Sequence, residues 1–208
     1  MLASLRWLLA RAGAVVCVLA ASSAAHAHTA AKEVGDFYAG VLHPVTALEH
    51  VLSFVALGLL IGQQGRKASS AVLVFSVMLM LGATTALWLP AVPYVGLLNI
   101  ASAVLLGGLI ALARPLPAML TQGIAVVFGL SHGFANGTAI VGAVKPYLFI
   151  PGIGLAGLIV PAWGMIVADF VLQWKAAWMH IALRVAGSWI AAIGILVLAT
   201  SAATLLKA

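Results

Sequence analysis

The sequence predicts an all-α, polytopic membrane protein: a bundle of six transmembrane helices after a cleaved signal peptide. Three observations carry that prediction. Only 7% of the 208 residues are charged, where a soluble chain has about a quarter. Mean hydropathy is +1.20, and apolar runs recur near the roughly 20 residues that a bilayer demands. The N-terminus has the tripartite pattern of an export signal.

Residues 1–27 read as that signal peptide. Arg6 and Arg11 form its basic region, and Val15, Val16, Val18 and Leu19 lie in a short apolar core. Ala25-His26-Ala27 is a small-residue cleavage site. Cleavage there leaves His28 as the new N-terminus, whose amine and imidazole together can chelate a metal. The remainder, 28–208, reads as one transmembrane domain with a polar lead-in at 28–40. Spans are expected at about 41–62, 70–90, 94–113, 117–142, 149–172 and 186–206. Gly129, Gly133 and Gly137 recur every fourth residue in the fourth span, a spacing that lets helices approach closely. Pro151 opens the fifth span and Pro161 lies inside it.

Charge sets the expected orientation. Arg66, Lys67, Arg114, Lys175 and Arg184 fall on one side, and Lys32, Lys145 and Lys207 on the other. The positive-inside rule puts the first group in the cytoplasm. Both mature termini are then periplasmic, in a bacterial inner membrane. The basic residues are too dispersed for a nucleic-acid surface, so no nucleic-acid partner is expected. Cys17 falls within the signal, which leaves the mature chain without a disulfide or thiolate site. There is no nucleophile elbow, no Walker A loop and no cofactor motif, so an enzyme is not expected and no cofactor is bound permanently. Ser131 and His132 are helix neighbours and do not face each other as a catalytic pair would.

The chemistry concentrates in two stretches. The first is His43-Pro44-Val45-Thr46-Ala47-Leu48-Glu49-His50. Ionisable side chains inside a membrane segment are costly and mark function by default. Pro44 fits the first helical position, where its missing N–H costs nothing. His43 is then expected to cap the helix, with His50 two turns along the same face. Glu49 lies about 100° round from His50, as a ligand or a supporting group. Two imidazoles and a carboxylate suit a borderline divalent metal: nickel, cobalt, zinc or copper(II).

The second stretch is Ser131-His132-Gly133-Phe134-Ala135-Asn136-Gly137-Thr138, where His132 and Asn136 share a helix face. A membrane histidine has two readings, a hydrogen-bonded structural residue or a ligand. Three buried histidines beside the sole carboxylate of the first span weigh toward metal or proton handling. Asp169 has two readings, a transport role or a residue near the cytoplasmic end of its span that reaches water or pairs with Lys175. His180 sits in an interfacial stretch with Trp174 and Trp178.

These motifs resemble those of the HupE/UreJ family, small bacterial membrane proteins associated with hydrogenase and urease operons and regarded as nickel or cobalt permeases. The resemblance spans signal, length and span pattern. Its specificity lies in two motifs. The family's H-x5-D-H is matched by His43, Glu49 and His50, with glutamate for aspartate. The family's F-H-G-x-[AV]-H-G-x-E is matched at His132, Gly133, Ala135 and Gly137. It diverges at Ser131, at Asn136 where the second histidine belongs, and at Ala139 where the glutamate belongs. Asn136 offers a carbonyl oxygen, a poorer ligand for nickel than imidazole.

The resemblance implies secondary transport of a divalent transition metal, nickel or cobalt, across the inner membrane. The expected site is His43, Glu49, His50 and His132 with Asn136 alongside, near the outer leaflet, His132 lying one or two turns deeper than His43. Expected partners are the metal ion, the bilayer and metalloenzyme maturation proteins. The alternative is a non-transporting accessory or assembly factor for a hydrogenase or urease.

Overall fold

The computed structural model describes residues 35–138, 140, 144–174 and 177–205. The signal peptide expected at 1–27, His28, Lys32, Lys175 and Lys207 lie outside the described residues. In chain order the elements are α1 (Asp36–Thr46), α2 (Leu48–Gln64), a 3₁₀ turn (Arg66–Ala68), α3 (Ser70–Thr85), α4 (Val95–Leu112), α5 (Ala118–Thr138), α6 (Pro146–Gln173) and α7 (Ala177–Leu205). The described residues contain no strand. Helices are what apolar runs must form in lipid, where each backbone N–H and C=O has to be satisfied within the segment.

Five helices are long and apolar enough to cross a membrane, and α1 with α2, bent by 79°, give a sixth if the pair is one broken span. The expected first span is therefore not one straight helix. Pro44 lies inside α1 rather than opening a helix, and His43 falls in its last turn. Thr46 Oγ1 bonds back to the Leu42 carbonyl at 2.9 Å and to that of His43 at 3.2 Å, closing the helix behind the proline. Ala47 is extended at φ −91°, ψ 119°, and that residue redirects the chain into α2. No side chain caps the start of α2. His43 and His50 consequently belong to different helices and do not share a face. The later boundaries differ in smaller ways. α6 takes in Pro151 as well as Pro161. α7 begins at Ala177, so His180 lies in that helix rather than in a separate interfacial stretch.

Glycine contacts set the packing and its direction. On α2, Gly58 lies against the Pro161 backbone and Gly62 against Met165, so α2 and α6 run parallel. On α5, Gly129, Gly133 and Gly137 face Phe75, Leu79 and Ala83 in turn, so α3 and α5 are parallel as well. On α4, Gly107 meets Gly187 and Ala191, whereas Val104 meets Gly194, which makes α4 and α7 antiparallel. These directions agree with alternating crossings in which the α1–α2 pair counts as the first. The chain is a multi-pass helical membrane protein.

The core lies where α2, α3, α4 and α6 converge, filled by Phe54, Leu57, Leu60, Phe75, Leu79, Leu106, Ile110 and Ile153. One end of the bundle is tied by side-chain amides. Gln64 accepts from the Leu116 N–H at 2.7 Å, and Gln63 donates to the Ile110 carbonyl at 3.2 Å. Arg66, Arg114 and Arg184 lie at this end; Arg184 Nε donates to the Ala111 carbonyl at 2.8 Å.

A Cβ at Gly133 meets the Leu79 carbonyl, whereas one at Gly123, on the same helix, meets open space. Gly133→Ala is expected to lower thermal stability in detergent by about 1–3 kcal/mol, the cost of overpacking. Gly123→Ala is expected to be neutral or to raise stability by up to about 1 kcal/mol through helix propensity. Equal effects at the two positions would contradict this packing.

Candidate metal site

Two imidazoles meet in the interior. His50 comes from the first turn of α2 and His132 from α5, and their Nδ1 atoms lie 2.7 Å apart. His50 is 4% exposed, and His132 and Asn136 are fully buried. The bend at Ala47 starts α2 at the depth where α5 carries His132. Each ring lies 14 residues, about 21 Å of helix, from the arginine-bearing end of its own helix. The two histidines are therefore level.

The surrounding bonds assign the protons. Asn136 Nδ2 lies 2.7 Å from the His132 carbonyl oxygen, one turn back on α5. A carbonyl only accepts, so the amide must turn its nitrogen this way. The same nitrogen lies 3.2 Å from His50 Nε2, which must then accept. With one proton on each ring, His50 carries its proton on Nδ1 and donates it to His132 Nδ1. His132 in turn carries its proton on Nε2 and donates to Ser102 Oγ at 2.9 Å. Ser102 passes its own proton to the Asn99 carbonyl at 2.6 Å or to Ser53 Oγ at 2.8 Å. Ser53 Oγ donates to the Glu49 carbonyl at 2.9 Å. The result is a directional chain across α5, α2 and α4.

Phe54 walls this chain off, its ring centroid 5.5 Å from that of His132 and 6.2 Å from that of His50. Two carboxamide oxygens, Asn99 Oδ1 and Asn136 Oδ1, are buried without a hydrogen-bond partner in the structure. An orphaned buried acceptor costs about 1–3 kcal/mol, so each needs a reason.

Of the expected site residues, His50, His132 and Asn136 come together. His43, half-buried on α1, lies beside the Phe149 ring at 5.8 Å. Glu49, also half-buried, lines a small crevice with Leu48, Leu52, Ile100, Ala103, Gly194 and Val197. Among the described residues, no three His, Cys, Asp or Glu side chains gather around one point. Glu49 shares the first turn of α2 with His50, an acidic residue at the end of the helix where acids are favoured.

Ser53, Asn99 and Ser102 are the partners that sequence reasoning missed. The signal was present: small polar residues buried in apolar spans, with Asn99 and Ser102 three apart on one face of α4. Nitrogen-15 spectra of histidine-labelled, metal-free protein are expected to show His50 protonated on Nδ1 and His132 on Nε2. Protonation of both on Nε2 would contradict the chain.

Comparison with protein-family models matches residues 16–197 to the HupE / UreJ protein family. No curated protein and no solved structure matches the chain. The matched segment takes in every helix that builds the histidine pair, and the chain belongs to the HupE/UreJ family.

Proposed function

We propose that this protein carries a divalent transition metal, nickel first and cobalt second, inward across the bacterial inner membrane, with His50 and His132 as the transient ligands. One observation carries the reading: two imidazoles from different helices turn their Nδ1 atoms toward one another at 2.7 Å inside an apolar bundle. A metal bound to both at about 2.0–2.1 Å sets those nitrogens about 2.9 Å apart at a right angle, or about 3.3 Å apart at a tetrahedral angle. The rings need to part by only a few tenths of an ångström in the first case. Imidazole suits nickel and cobalt among the borderline ions.

Binding requires a lone pair on both Nδ1 atoms, so the His50 proton must sit on Nε2 instead. That proton then faces Asn136 Nδ2, 3.2 Å away, so metal binding requires the Asn136 side chain to move off His50 Nε2. No proton is gained or lost by the pair in that exchange. Two imidazoles with carboxamide oxygens nearby make a weak ligand set. A permeating ion needs that weakness, since a tight cage would trap it. The resting orientation, with arginines in the cytoplasm and the pair toward the outer leaflet, follows from the positive-inside rule. Membrane potential supplies about 2.3 kcal/mol per charge per 100 mV to drive entry.

A second reading has one observation in its favour. The absence of a third imidazole or carboxylate at the pair, among the described residues, suits an accessory that holds metal for hydrogenase or urease maturation without passing it on. Uptake of radioactive nickel by cells separates the two. His50→Ala and His132→Ala are each expected to reduce uptake to the empty-vector level. Asn136→Ala, which removes a supporting partner, is expected to cost about 10- to 100-fold in metal affinity. Uptake by wild type equal to that by His50→Ala would sink transport in favour of the accessory role.

A further inference from the structure

At the arginine-bearing end, an open cavity of about 230 Å³ lies between the end of α2, the start of α3 and the last turns of α6. It is lined by Gly62, Gly65, Arg66, Ser69, Met165, Ile166 and Asp169. This is too small for most drug-sized ligands, whose sites run from about 300 Å³ upward. Its depth is interfacial. Helix α6 ends at Gln173, and Phe170 and Trp174 stack edge to face at 5.7 Å with both rings exposed, as belt aromatics do. The wall formed by Ile166 continues into the exposed apolar flank of α6 at Val167 and Phe170.

The charges are informative. Arg66 and Asp169 line the same cavity, yet they form no ion pair with each other. Asp169 Oδ2 accepts instead from Gln173 Nε2 at 2.8 Å, and among the described residues no side chain donates to its other oxygen. Gly65, at φ +77°, turns the chain so that Arg66 follows directly at the cavity rim. A cavity with a cation alone would suit any anionic headgroup. A carboxylate facing the same space repels a bare anion and selects a ligand that brings its own cation.

We propose that this cavity binds the headgroup of a zwitterionic phospholipid with a primary ammonium, phosphatidylethanolamine, with Arg66 on the phosphate and Asp169 on the ammonium. The acyl chains lie along Ile166, Val167 and Phe170. Arg66 provides a planar fork matched to phosphate oxygens. The Asp169 oxygen needs an N–H donor, which an ethanolamine headgroup has and a choline headgroup lacks. This site is separate from the histidine pair and independent of what that pair carries.

Native mass spectrometry of the full-length protein, released from nanodiscs of mixed phosphatidylethanolamine, phosphatidylcholine and phosphatidylglycerol, tests it. Wild type is expected to retain phosphatidylethanolamine over phosphatidylcholine by at least about tenfold, the scale of one charge-assisted hydrogen bond. Asp169→Asn should bring that ratio close to one, and Arg66→Gln should lose both lipids. A stepwise series of N-methylated ethanolamine lipids on wild type requires no variant: retention should persist with the mono- and dimethyl lipids, which keep an N–H donor, and drop only at the third methyl, whereas a loss complete at the first methyl would contradict the hydrogen bond. Equal retention of the three headgroups, preference for phosphatidylglycerol, or unchanged ratios in both variants would overturn the assignment.

Discussion

The histidine pair is the constraint on which the rest of the structure depends. In a lipid-embedded bundle, an imidazole has no water to meet its two nitrogens, and leaving either unmet is costly. His50 and His132 solve this by facing each other at 2.7 Å, with their outer nitrogens on Asn136 and Ser102. That solution dictates the backbone. Three helices must reach one point at the same depth, α2 with His50, α5 with His132 and Asn136, and α4 with Asn99 and Ser102. The break at Ala47 lets α2 start there while α1 leaves across α6, where Gly40 and Gly152 let the two backbones meet.

Packing keeps the pair in place. The glycines of α5 press that helix onto α3, and those of α2 press it onto α6. Neither helix can slide without driving a backbone into a backbone. The pair is thus held by helix contacts that contain no polar atom in their side chains, and the polar chain is left to set proton positions. On the proposed reading, a rigid frame keeps the ligands near binding distance and a weak ligand set lets the ion go.

Much of the fold was legible in the sequence, because hydropathy and span length report directly on burial in lipid. The four-residue glycine spacing in α5 foretold a close contact, and the i, i+4 spacing of His132 and Asn136 put both on one helix face. The bend was not legible. Pro44 fits the start of a helix as well as its last turns, and only the docking of α1 on α6 decides between them. From that one ambiguity follows the separation of His43 from His50. The parts played by Ser53, Asn99 and Ser102 depend on which faces of α2 and α4 meet, a tertiary fact that no single span encodes. The family match supports the overall reading, while Asn136 gives this chain its own proton arrangement where the family pattern has a histidine.

The most direct measurement is X-ray absorption at the nickel edge of purified protein loaded with nickel. The account predicts two imidazole nitrogens at about 2.0–2.1 Å in wild type and one in either His50→Ala or His132→Ala. A shell of oxygens alone, or a two-imidazole shell that survives both substitutions, would contradict it.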